Sequence, residues 1–100
     1  MADEDSFHEV FKRTFGFPDF YGKNFDAWID CMTYLDDPNS GMAKVNVSHG
    51  EICTLNLINA KNFHKNAKSL FHTLNELVAF VNYRRIEMNE NPLLAISYFV

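Results

Sequence analysis

Apolar side chains recur at helical spacing from the start of the chain. Phe7, Val10, Phe11 and Phe15 fall at i, i+3, i+4 and i+8, which predicts an amphipathic helix over 6–15. Ser6 followed by Glu9 reads as its capping box. Gly16 ends it, and Pro18 forbids its continuation. The segment FPDFYGKN (17–24) reads as a compact turn, with Pro18 fixing one φ angle and Gly22 free to take a positive one. A second stripe follows over 24–35, where Phe25, Trp28, Met32 and Leu35 share one face and Ala27 and Cys31 flank it. Asn24 is a good N-cap for this helix. Its other face carries Asp26, Asp30 and Thr33, with Ile29 and Tyr34 between or beside the stripes.

The pattern then changes period. DDPNSG (36–41) is a loop, and AKVNV (43–47) and ICTLNLI (52–58) alternate around SHGE, which predicts a hairpin. The polar run NAKNFHKN leads into a long helix over 67–83, where Leu70, Leu74, Leu77, Val78 and Val81 hold helical spacing with Phe71 and Phe80 beside them. Pro92 and its Asn neighbours stop it. LLAISYFV (93–100) is apolar almost throughout and predicts a final strand buried on both faces. A strand, a crossover helix and a strand make a parallel βαβ unit. The expectation is one small α/β domain over 1–100, with helices on a roughly three-stranded, mainly parallel sheet. Residues 1–5 read as an acidic flexible tail.

Composition narrows the classes. In 100 residues, 47% are hydrophobic and 15% aromatic, enough for one dense core and too much for a disordered chain. No apolar run reaches the roughly 18 residues of a membrane span. The start, MADEDSF, is acidic and lacks the apolar core of a secretory signal. A net charge of −4 argues against nucleic acid as the partner, since phosphate binding is driven by Lys and Arg. That charge is uneven. Residues 1–37 hold nine carboxylates against three bases, a net of −6, and residues 38–100 hold four against six, a net of +2. Such an acidic third attracts a basic partner or serves only solubility.

Catalytic and metal chemistry find no footing. Cys31 and Cys53 sit in apolar stretches without a CxxC pair and read as free thiols of a reducing cytosol. His8, His49, His64 and His72 have no ligand partners at recognised spacing and read as solvated or loop histidines. No phosphate-binding loop or nucleophile elbow is present. Lys61, Lys65 and Lys68 read as a solvated face, and Arg84 and Arg85 as satisfying the end of the long helix. The expectation is a protein that is not an enzyme and holds no metal or cofactor.

Asp26 and Asp30 stand out. Two carboxylates at i, i+4 repel by about 0.2–0.5 kcal/mol, and Asp is a poor residue for a helix interior. Asp26 lies near the positive helix end, whereas Asp30 has no cation at helical spacing around it. With Ile29 between them and Phe20 and Tyr21 just before, they read either as a contact patch or as solvated charges beside a shoulder of the core.

The residues Phe17, Pro18, Asp19, Phe20, Tyr21, Gly22, Asn24, Phe25, Asp26, Ala27, Trp28, Ile29, Asp30 and Cys31, in this order, resemble the signature of the barstar family, intracellular inhibitors of secreted ribonucleases of the barnase type. The resemblance implies a small α/β sandwich that inhibits through this turn and helix. It implies that Asp30 is the central carboxylate entering the nuclease's phosphate pocket, that Asp26 is the second acidic contact and that Phe20 packs on the active-site rim. Tyr21, Gly22, Asn24, Ile29, Thr33 and Tyr34 complete the implied surface. The implied partner is a basic ribonuclease bound 1:1 in the cytoplasm by a monomer, with no membrane and no nucleic acid. The other reading is a barstar-fold interaction module with a non-nuclease partner, such as an adaptor or a self-associating protein. Three departures accompany the resemblance. No strand precedes the first helix, so the family's first strand is missing or replaced by residues near 43–48. Position 20 is Phe where Tyr is commoner. The long helix offers Glu76, Asn82, Arg84 and Arg85 where the family places a further acid.

Overall fold

The computed structural model describes residues 1–100. The order is α1 (Glu4–Phe15), α2 (Phe25–Thr33), a 3₁₀ turn (Pro38–Ser40), β1 (Cys53–Ile58), α3 (Ala60–Asn66), α4 (Lys68–Glu87) and β2 (Leu94–Phe99).

Helix α1 starts two residues earlier than its apolar stripe predicts. Asp3 is the N-cap, accepting from the Ser6 N–H at 2.8 Å, while the Ser6 hydroxyl accepts from the Asp3 N–H at 3.1 Å. The capping box is therefore Asp3–Ser6, not Ser6–Glu9. Glu4 and Asp5 then fill the first turn, where the helix dipole favours carboxylates. Residues 3–5 are helix start, not tail. At the other end Gly16 takes φ +69° and closes the helix with its N–H on Lys12 O at 2.9 Å.

The predicted hairpin does not form. The Lys44 and Val45 N–H groups donate to Phe15 O at 2.9 and 3.1 Å, and the Val47 N–H donates to Leu35 O at 3.0 Å. Residues 43–47 thus spend their donors on chain ends left open where α1 and α2 stop. They form a strap rather than a strand. The sheet accordingly has two strands, not three. β1 and β2 pair in parallel from Cys53↔Leu94 to Ile58↔Phe99. β2 is not buried on both faces either: it begins at buried Leu94 and runs out to exposed Tyr98 and Phe99. Its start is fixed by Asn82 of α4, whose Oδ1 accepts from the Leu93 and Leu94 N–H groups at 2.9 Å each and whose Nδ2 donates to Leu94 O at 2.9 Å.

The polar run before the long helix is itself helical, as α3. Buried Ala60 and half-buried Phe63 are enough to dock it. The core has two halves. One is aromatic: Phe7 and Phe11 meet at 4.8 Å between ring centroids, Phe11 meets Trp28 edge-on at 5.4 Å, and Phe15, Phe17 and Tyr21 continue the chain of rings. The other is aliphatic, built from Leu55 and Leu57 of β1, Leu74, Leu77, Val78 and Val81 of α4, and Leu93 and Leu94. Cys31 and Cys53 are free thiols, and burial pushes Cys31 up to about 11, well away from reactive thiolate character.

Candidate functional site

The turn 18–24 and α2 form one unit because their inward side chains are locked. Phe17 and Tyr21 are buried and their rings meet at 4.8 Å. The Tyr21 N–H closes the turn on Pro18 O at 2.9 Å. Its hydroxyl meets Nδ1 of His8, a fully buried residue of α1. Burial drives the Tyr21 pKa upward and the His8 pKa downward, so both are neutral near pH 7. His8 is therefore a core histidine, contrary to the solvated role its sequence context predicts. With Phe17 and Tyr21 turned in, the alternating Phe20 is turned out and stands 76% exposed.

Asn24 caps α2: its Oδ1 accepts from the Ala27 N–H at 2.8 Å, and its Nδ2 donates to Gly22 O at 3.4 Å. Lys23, at φ +52°, pairs with Glu9 of α1 and ties the turn to the first helix. Hydrogen bonding to that Lys holds the Glu9 carboxyl below its usual range. On α2, Trp28 and Met32 are fully buried, as the stripe predicts. Asp26 and Asp30 face outward on the opposite side. Asp30 keeps 58% of its side chain exposed, with Arg84 of α4 at 3.9 Å.

Three of the anticipated surface residues lie beneath this face. Tyr21, Ile29 and Thr33 are all buried. Ile29 is the shoulder of the core, and the Thr33 hydroxyl donates back to Ile29 O at 2.6 Å. Of the anticipated surface residues, Phe20, Gly22, Asn24, Asp26, Asp30 and Tyr34 are exposed.

One polar feature escaped the sequence reading. Arg85 is buried and grips Asp36 with both guanidinium ends, at 3.0 and 2.7 Å, while donating to Thr33 O at 3.0 Å and Asn91 O at 2.7 Å. Arg85 holds the Asp36 carboxyl below its ordinary range. Asp36, read from sequence as a loop charge, is a structural anchor between the end of α2 and the end of α4. The available signal was position: Arg85 lies four residues after Val81 on the apolar stripe of α4, and a charge on such a stripe needs a partner.

No group of three or more His, Cys, Asp or Glu side chains converges as a metal would need, and no helix is long and apolar enough to cross a membrane. The arrangement suits recognition of cations. It holds two carboxylates one helical turn apart, an exposed aromatic ring in the preceding turn and a buried apolar face beneath. Comparison with curated proteins and with solved structures returns no match. The family model described as "Barstar (barnase inhibitor)" matches residues 1–93, and with nearly the whole chain inside that match, the protein belongs to the barstar family.

Proposed function

We propose that this protein inhibits a basic ribonuclease of the barnase type by presenting the turn 18–24 and the outer face of α2 to the nuclease's active site. One observation carries the reading. Asp26 and Asp30 project from one face of a capped helix whose opposite face is locked into the core, with Phe20 exposed in the turn that leads into it. A ribonuclease holds phosphates with cations, so two fixed carboxylates substitute for the anionic backbone of RNA, and the aromatic ring covers apolar surface at the rim. Gly22 lets the turn approach closely, and Tyr34 extends the face. Tyr21, Ile29 and Thr33 act from below by holding the backbone that carries these groups. Binding is 1:1 with a free monomer, and the two unpaired thiols suit a reducing cytoplasm.

The test is inhibition of barnase by the purified chain. Asp30→Ala is expected to raise the inhibition constant a hundredfold or more, about 3 kcal/mol, because the partner's cation is left buried without its carboxylate. Phe20→Ala should weaken inhibition less. Glu87→Gln, which removes one negative charge from the last turn of α4, should change it by less than about threefold. Equal effects of Asp30→Ala and Glu87→Gln would refute the proposal. A chain that leaves barnase active but captures a non-nuclease partner through Asp30 would establish the adaptor reading instead.

A further inference from the structure

The acidic face is not purely acidic. Arg84 Nη1 lies 3.9 Å from Asp30 Oδ1, and no other cation is within ion-pair distance of either Asp26 or Asp30. Arg84 reaches this position because its neighbours fix α4 against α2. Val81 is fully buried, and Arg85 is anchored to Asp36 and Thr33 O. The Arg84 side chain is about one-third exposed, and its outward neighbours on α4, Phe80 and Tyr83, are exposed too. Arg84 therefore stands at the edge of the surface a partner would cover, not behind it.

The two carboxylates are consequently unequal. Asp26 is open to any approaching cation. Asp30 already has one, in a loose, solvent-screened pair that a stronger cation can displace. We propose that Arg84 is a specificity-determining residue that competes with the partner for Asp30, so that only a nuclease with dense positive charge opposite α2 displaces it. A weakly basic protein gains Asp26 alone and must also meet a like charge at Arg84. That arrangement discriminates by repulsion as well as by attraction. The inference rests on the inhibitory reading above and goes beyond it by assigning a role against binding to a residue on the neighbouring helix.

The measurement is barnase association followed by stopped-flow fluorescence for the wild-type chain, Arg84→Gln, Lys61→Gln and Asp30→Ala, at low and high salt. Lys61 is exposed on α3, so Lys61→Gln gives the same change in net charge away from the face. Arg84→Gln is expected to raise the association rate and the affinity by about threefold to tenfold at low salt, shrinking at high salt as screening weakens both charges. Lys61→Gln should give less than half that gain. In the Asp30→Ala background the affinity gain from Arg84→Gln should shrink to the part that comes from relieved repulsion of the partner's cations, because the competition has lost its object. Weaker or unchanged binding by Arg84→Gln, or a gain no larger than that of Lys61→Gln, would overturn this inference alone, provided that Asp30→Ala still loses inhibition. Failure of the wild-type chain and of Arg84→Gln alike to bind barnase would overturn both this inference and the function on which it rests.

Discussion

His8 shows how a single buried group ties the turn 18–24 to solution conditions. Its ring is fully buried, packs on Phe7 and Phe25, and meets the Tyr21 hydroxyl through Nδ1. Glu4 lies 3.5 Å from Nε2 and pulls toward protonation, as does Asp5, while Lys23 opposes it; burial outweighs these and holds the pKa low. In the unfolded chain the same ring takes up a proton near its ordinary value of about 6.5. Between the two values the unfolded state binds the extra proton, so acid favours unfolding. The stability that neutral His8 supplies is full above about pH 6.5 and declines below it, by up to about 1.4 kcal/mol per pH unit. Urea unfolding midpoints at pH 7.5 and pH 5.5 should therefore differ for the wild-type chain, and His8→Gln should flatten the difference. An undiminished slope in His8→Gln would show that another group is responsible. This role was hidden in the sequence. His8 neighbours Phe7 and lies three residues before Phe11, a position as open to the edge of a solvated face as to a core. Only the arrival of Tyr21 from the turn decides it.

At the scale of elements, what could be read was what is local. Asn24 capping α2, Gly16 ending α1, and the stripes Phe25–Trp28–Met32 and Leu74–Val78–Val81 all follow from neighbours a few residues apart. What could not be read depends on distant partners. The alternation in 43–47 is genuine, but the segment meets the Phe15 and Leu35 carbonyls before any strand edge, so it straps two helices. Asn82 fixes β2 from another element. The joint between α2 and α4 is the clearest case, because Asp36 and Arg85 are far apart in sequence and both nearly buried. Breaking one side leaves an uncompensated charge, so Asp36→Ala should destabilise the fold by about 3–5 kcal/mol. Replacing both partners, as in Asp36→Leu with Arg85→Met, should recover much of that loss, since buried ion pairs add little over apolar packing. Chemical denaturation of the three chains measures both effects. A loss below about 0.5 kcal/mol for Asp36→Ala, typical of a surface substitution, would show that the pair is not what holds the helices. The same geometry makes Asp36 unsuitable as a neutral control in binding experiments, whatever its charge suggests.

Across the whole molecule the charge asymmetry of the sequence becomes a direction. The net −6 of residues 1–37 is partly spent on structure: Asp36 on Arg85, Glu9 on Lys23, and Asp3 on the cap of α1. Asp5, Asp19, Asp26 and Asp30 remain exposed around the turn and the first two helices. No acidic residue occurs between Glu51 and Glu76, where Lys61, Lys65 and Lys68 lie on α3 and the start of α4. A basic partner approaching this dipole is steered toward α2 before any contact forms. Steering and grip should then separate kinetically. Charges outside the contact face act on the association rate, and charges inside it act chiefly on dissociation. Glu4→Gln with Asp5→Asn, both exposed in the first turn of α1, is expected to slow barnase association by about twofold to fivefold at low salt and to leave dissociation within about twofold. Asp30→Ala should do the reverse, speeding dissociation far more than it slows association. Raising ionic strength should reduce the wild-type association rate toward that of the Glu4→Gln, Asp5→Asn chain, because both then approach unsteered encounter. Surface-binding kinetics at three salt concentrations distinguish these cases. If the double variant accelerated dissociation as strongly as Asp30→Ala, the contact surface would extend over Glu4 or Asp5, and the division between two gripping carboxylates and a steering remainder would be wrong.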